Sequence, residues 1–249
     1  MDVLDEIWAR ALPEQGVALS GRPVLAVLTL ALLAVAFSPT WRVTRLVVTL
    51  VHELGHAVVG VLTGRRFTGF VLRGDMSGHA VTVGPARGTG RTLTTWAGYP
   101  APALVGAAVV WLAVHGWAAP VLTVVLAVLV AAALQVRSLL TGLVVLVAIV
   151  AAGALWWSAA GALQAQVVVA VGVVLIVGGW RHLGAVLAAP ERGVSDPEVL
   201  ARVTRVPRAF WNATFVVVLG ACTWAAARTV LAASGLLGAS DVLGAWPGS

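Results

Sequence analysis

His52, Glu53 and His56 stand in the run His-Glu-Leu-Gly-His, and side chains of these types at this spacing can hold a metal ion and use it for hydrolysis. On a helix, residues i and i+4 share one face, so both imidazoles reach a single ion. Glu53 follows the first histidine directly and can approach a metal-bound water from the side, as a general base must. The chain has five histidines and five glutamates in 249 residues, so a random occurrence of the pattern is expected well under about one time in a hundred. The competing reading is a helix whose histidines only hydrogen-bond to their neighbours.

The setting separates these readings. Residues 41–63 read WRVTRLVVTLVHELGHAVVGVLT, an apolar stretch long enough to cross a bilayer. Ionisable side chains in hydrocarbon are costly and are retained for function or for strong partners. A catalytic zinc takes three protein ligands and keeps one position open, so one more His, Asp or Glu is required. Asp196, in Gly193-Val194-Ser195-Asp196-Pro197-Glu198, is the first candidate. The same residues also read as a helix capping box, with Ser195 as cap, Pro197 in the first turn and Glu198 three residues on. Asp196 is therefore a ligand, a helix-dipole partner, or both. Asp75, His79, Glu191 and His182 are the weaker candidates: Asp75 suits a turn, His79 a substrate contact and His182 a membrane interface. His115 belongs at the far side.

The elements that position these residues follow from composition. Sixty per cent of the chain is hydrophobic, ten per cent is charged and the mean hydropathy is +0.97, which describes a polytopic membrane protein. All sixteen basic residues are arginine, and the sequence pI is near 11.4. These arginines occupy short loops between apolar runs, so membrane topology explains them and nucleic acid is not expected as a partner. Cys222 is the single cysteine, which excludes an internal disulfide and a cysteine metal site. Residues 1–20 carry Asp2, Asp5, Glu6 and Glu14 where a signal peptide would be basic, so none is expected. Val3, Leu4, Ile7, Trp8 and Leu12 give the interfacial segment 1–21 an apolar face.

Apolar runs fall at about 23–38, 43–63, 94–114, 119–135, 138–157, 165–182 and 208–232. They predict an all-α membrane protein of about six to seven transmembrane helices forming a single integral membrane domain over 1–249. Arginines fill alternate connections, with Arg42 and Arg45 as exceptions. The positive-inside rule then puts the N-terminus and the motif's half of its helix in the cytoplasm, and Trp111, Trp117, Trp156 and Trp157 suit an aromatic belt. Residues 65–93 form the main non-helical segment. In it Phe67–Leu72 and His79–Val83, separated by Gly74–Gly78, predict a short β-hairpin after the motif helix. Its edge could pair with an extended substrate. Residues 183–207, with three prolines, read as a cytoplasmic loop.

The chain resembles the site-2 protease family of intramembrane zinc metallopeptidases (M50), especially its compact bacterial M50B-like branch. Three features carry the resemblance: His52-Glu53-Leu54-Gly55-His56-Ala57 within an apolar run, the hairpin after it, and Ala97-Gly98-Tyr99-Pro100-Ala101-Pro102 opening the next run. The resemblance implies Zn2+ held by His52, His56 and a late aspartate that maps onto Asp196, with Glu53 as catalytic base. Gly98 and Pro100, opening the next run, and His79, on the hairpin, are the candidate substrate-binding residues. The implied activity is endopeptidase cleavage of membrane-protein substrates, such as single-pass regulators, in the bacterial cytoplasmic membrane with the lipid bilayer as surroundings. Two departures stand out. The family's AGPxxN asparagine is missing, since Asn212 is the sole asparagine, and its LDG-like motif reads Val-Ser-Asp-Pro. A non-proteolytic scaffold retaining the fold is the alternative. A metal transporter would need acidic or histidine ligands inside the third to sixth runs, and these have none.

Overall fold

Alanine, leucine and valine fill the runs between the arginine-bearing connections, and they fold as helices, which satisfy backbone polar groups within the segment as a bilayer requires. The computed structural model describes residues 3–14, 22–72, 78–188 and 195–234. The elements are α1 (Val3–Arg10), α2 (Arg22–Ala36), α3 (Ser38–Leu62), β1 (Arg66–Leu72), β2 (Gly78–Val83), α4 (Thr89–Trp96) and α5 (Pro100–Val114). They continue as α6 (Ala118–Ala133), α7 (Leu139–Ser158), α8 (Gly161–Ala188), α9 (Asp196–Thr204) and α10 (Arg208–Ala233). The fold is all-α with one small antiparallel hairpin.

Among the described residues α3, α7, α8 and α10 are long and apolar enough to cross a membrane, and α4 with α5, bent by 62°, makes a fifth. The third predicted run is thus broken. Its helix restarts at Pro100, which lacks an N–H and suits a first helical turn. α2 and α6, with 15 and 16 residues, are only about 23 Å long at the helical rise, against a hydrocarbon thickness of about 30 Å. About six to seven transmembrane helices were expected; among the described residues the structure shows seven apolar elements of unequal length, of which four, or five with the bent α4–α5 pair, are long enough to cross.

Two groups of buried clusters mark the ends of the bundle. One joins Val24, Ala113, Ala118, Ala165 and Val169, with Trp156 and Val230 packed against it. At the other end, Ala103, Leu183, Leu200 and Phe215 form one cluster, and Leu50, Phe70, Leu129, Ala132 and Val145 a second. α5, α6, α7, α8 and α10 each contribute to both ends and so connect them. The central pair, α5 and α8, approach closely because Gly106 and Gly172 face each other; a Cβ on either would lie 2.6–2.7 Å from the other's carbonyl oxygen.

α2 runs beside α8 in the same direction. Val24 packs with Ala165 and Val169, and at the opposite end the Arg181 guanidinium donates to the carbonyls of Val35 and Ala36. α3 begins at once, after Phe37 in an extended conformation and with Pro39 in the first turn. Both of its ends meet the same end of the bundle. Trp41 stacks under Arg181 at 4.8 Å, and Gly60 faces Thr82 and Thr94. α1 lies at the other end, where Arg10 sits over Trp157 and the Glu14 N–H donates to the Gly116 carbonyl. The exposed Ile7, Trp8 and Leu12 suit its predicted interfacial role.

This arrangement corrects the expected topology. A full crossing by the motif helix would put the chain's start on the motif's side. Because α3 starts and finishes at one end, α1 lies opposite the motif. Arg42 and Arg45 then share an end with Arg65, Arg66, Arg137, Arg181 and Arg208, so the exception to the charge pattern disappears.

Two further boundaries changed. Residues 183–188 continue α8 and Asp196–Thr204 form α9, so the predicted loop 183–207 is largely helical. The hairpin pairs Arg66 with Val83 through Leu72 with Gly78, with a bulge between Phe67 and Gly69. Its turn, with the candidate Asp75, and the candidate Glu191 lie outside the described residues. α3 ends in a glycine-based stop that aims the chain into β1. Gly64 has φ +77°, and the Arg65 N–H donates to the Gly60 carbonyl at 2.8 Å. Phe70 anchors β1 in the cluster with Leu50 and donates its N–H to the Gln135 carbonyl at 3.3 Å.

Candidate metal centre

His52 and His56 project from one face of α3 where it meets the α4–α5 break and the start of α9. Their rings are edge-to-face, with centroids 4.7 Å apart. His52 Nε2 and His56 Nε2 are 3.1 Å apart, and both point at Asp196 Oδ2, at 3.2 and 3.3 Å. Those three residues form the one metal-competent group found among the described residues.

The triangle fits zinc. Tetrahedral bonds of about 2.0–2.1 Å place neighbouring ligand atoms about 3.3 Å apart, close to all three sides observed. His56 Nδ1 lies 2.7 Å from the Thr94 carbonyl oxygen, and that contact requires Nδ1 to carry the proton. Nε2 is thereby left with its lone pair facing the centre, the arrangement a histidine ligand needs. His52 Nδ1 is buried and has no hydrogen-bond partner among the described residues.

Asp196 is delivered by α9. The Glu198 carboxylate accepts from the Ser195 N–H at 2.9 Å, so the capping geometry and the approach to the histidines coexist. Leu200, fully buried with Tyr99, Leu183 and Phe215, seats α9 against α5, α8 and α10. Arg208 adds ties, contacting Glu198 at 3.7 Å and donating to the Val186 carbonyl at 2.8 Å. Burial alone would raise the Asp196 carboxyl, but the facing His56 and His52 hold it well below the usual carboxylate range.

Glycines let backbone press against this centre. A Cβ on Gly98 would sit 2.5 Å from His56 Cε1 and Nε2 and 2.7 Å from His52 Cε1. A Cβ on Gly78 would sit 2.6 Å from Glu53 Oε1, so β2 begins directly against the buried Glu53 carboxylate. Pro100 is buried at the start of α5, and His79 is exposed on β2.

His182 lies elsewhere than expected. Its ring is 5.6 Å from that of His52 and 6.0 Å from that of Tyr99, inside the site and not at an interface. Its neighbour Arg181, which in sequence suggests an interface, turns away toward α2 and Trp41. Tyr99, Thr94 and Gly78 were missed. Tyr99 packs edge-on to His52 at 4.8 Å, and being the chain's sole tyrosine, beside Gly98, was the available signal. Thr94 acts through its main-chain oxygen, which no sequence pattern reveals. His115, bonded to the Trp111 carbonyl, is at the far end as expected.

The model of the Peptidase M50B-like family matches residues 25–226, from α2 into α10, and the chain belongs to that family. It is thus a multi-pass membrane protein of a peptidase family, with a metal-competent His-His-Asp group at one end of its bundle. No curated protein and no solved structure matches the chain at a significant level.

Proposed function

We propose that the chain is a zinc-dependent intramembrane endopeptidase. The observation that carries this reading is the convergence of His52 Nε2, His56 Nε2 and Asp196 Oδ2 within 3.1–3.3 Å, beside a buried glutamate one residue from the first histidine. His52, His56 and Asp196 would hold the ion, which acts when bound as a Lewis acid that acidifies water and polarises a carbonyl. Glu53 takes the proton from the attacking water at its carboxylate and returns it to the leaving amine. Gly98 keeps the α4–α5 turn against the imidazoles and fixes their orientation.

Depth favours cleavage near a membrane surface. α5 rises 15 residues, about 22 Å, from the level of the site to the far end. In hydrocarbon about 30 Å thick, the site then lies roughly 8 Å below the nearer surface, within reach of water. The arginine-rich connections at that end support a cytoplasmic surface by the positive-inside rule. The substrate is a membrane protein with an unwound, extended segment. β2 pairs with β1 on one edge, and a segment added to its other edge would run beside Glu53.

The test compares membranes from cells expressing wild type or Glu53→Gln at equal levels, with new protein N-termini mapped by mass spectrometry. New N-termini in membrane proteins that depend on Glu53 are expected. Identical profiles would favour the non-proteolytic scaffold.

A further inference from the structure

His52 and His56 are held unequally. The Thr94 carbonyl fixes the Nδ1 of His56, whereas the Nδ1 of His52 is buried and has no partner among the described residues. Metal-bound histidines almost always donate that second N–H, because the bond sets the tautomer and stops the ring from turning. A second buried and unpartnered ring nitrogen lies close by, His182 Nδ1 on α8, with its ring centroid 5.6 Å from that of His52 and tilted by 49°.

We propose that His182 is the positioning residue for His52, acting through one bridging water. The His52 Nδ1–H donates to the water, and the water donates to the lone pair of His182 Nδ1. Two legs of about 2.8–3.0 Å span roughly 4.5–5.5 Å between nitrogens, a separation that rings 5.6 Å apart can provide. A water placed there satisfies two buried ring nitrogens that otherwise carry the cost of burial without a hydrogen bond. His182 is not a fourth ligand, because the ligand atoms that lie mutually within 4.8 Å are those of His52, His56 and Asp196 alone among the described residues. The Tyr99 ring packs at the same corner, with its centroid 4.8 Å from that of His52 and 6.0 Å from that of His182. The inference rests on the zinc-site reading but not on peptide hydrolysis.

The test is the zinc dissociation constant of the full-length chain in detergent, measured by chelator competition for wild type, His182→Leu and His182→Gln. His182→Leu is expected to weaken zinc binding on the order of 10- to 100-fold. His182→Gln, whose side-chain oxygen can accept from the water, should stay within a few-fold of wild type. Melting of the three metal-free proteins should coincide. Wild-type zinc affinity in His182→Leu would overturn the inference. So would equal losses in both variants accompanied by lower melting of the metal-free proteins, which marks a packing role. Wild type that binds no zinc would overturn this inference and the zinc reading together. Normal zinc behaviour in the series without any Glu53-dependent cleavage would overturn only the peptidase reading.

Discussion

Gly98→Ala changes one hydrogen to a methyl group and should weaken the metal centre. The new carbon would lie 2.5 Å from two atoms of His56 and 2.7 Å from His52 Cε1, about 1 Å inside normal contact. Gly98 has no positive φ, so alanine accepts its backbone and the clash falls on the imidazoles. Overpacking of this kind costs about 1–3 kcal/mol. Metal ligands tolerate displacements of only about 0.2 Å, so most of that cost should appear in zinc binding. Zinc affinity should therefore drop roughly 5- to 150-fold. Titration with a competing chelator reads the change directly, and Gly184→Ala, where no atom lies within 4 Å, serves as the matched control. Wild-type zinc affinity in Gly98→Ala, with the protein folded, would refute the placement of the α4–α5 turn on the histidines.

Glu53→Gln should retain one zinc per chain while cleavage falls about 10²- to 10⁴-fold, the usual worth of a positioned general base; zinc loss in this variant would reassign Glu53 to the ligand set. Gly78→Ala places a methyl 2.6 Å from Glu53 Oε1 and 2.8 Å from Thr49 Cγ2. It should lower the turnover of a cleaved substrate while zinc content stays unchanged, and full activity would mean that β2 does not hold the glutamate. Leu200→Ala empties a fully buried position in the cluster that seats α9. A stability loss of about 2–5 kcal/mol, seen as lower melting in detergent, should bring weaker zinc binding because Asp196 rides on that helix.

Much of the site was legible because its logic is local. His52, Glu53 and His56 lie within five consecutive residues of one helix, and their cost in an apolar run announces a function. Asp196 was within reach since few acidic residues compete with it and the capping pattern fixes a helix start at its position. The hairpin was read from β-branched residues and glycine, and it begins and ends within one residue of the expected strands. What was hidden depends on contacts between distant segments. His182 sits beside His52 and Tyr99 while its neighbour Arg181 is drawn aside by Trp41 and the end of α2, a division that depends on contacts with other helices. The place of α1 was misread because hydropathy measures whether a helix can cross, not whether its two ends meet opposite ends of the bundle. α3 passes the length and composition test, yet its neighbours keep both of its ends together. Thr94 belongs with these cases, since a main-chain oxygen carries no sequence signature.

The most direct test is zinc K-edge X-ray absorption on purified protein, with zinc per chain measured alongside, for wild type and Asp196→Ala. The structure predicts one zinc at wild-type positions with two imidazole nitrogens and one carboxylate oxygen at about 2.0–2.2 Å, and a sharp loss of zinc in the variant. A folded wild type without zinc, or one zinc in both proteins with an unchanged spectrum, would contradict the His52–His56–Asp196 centre.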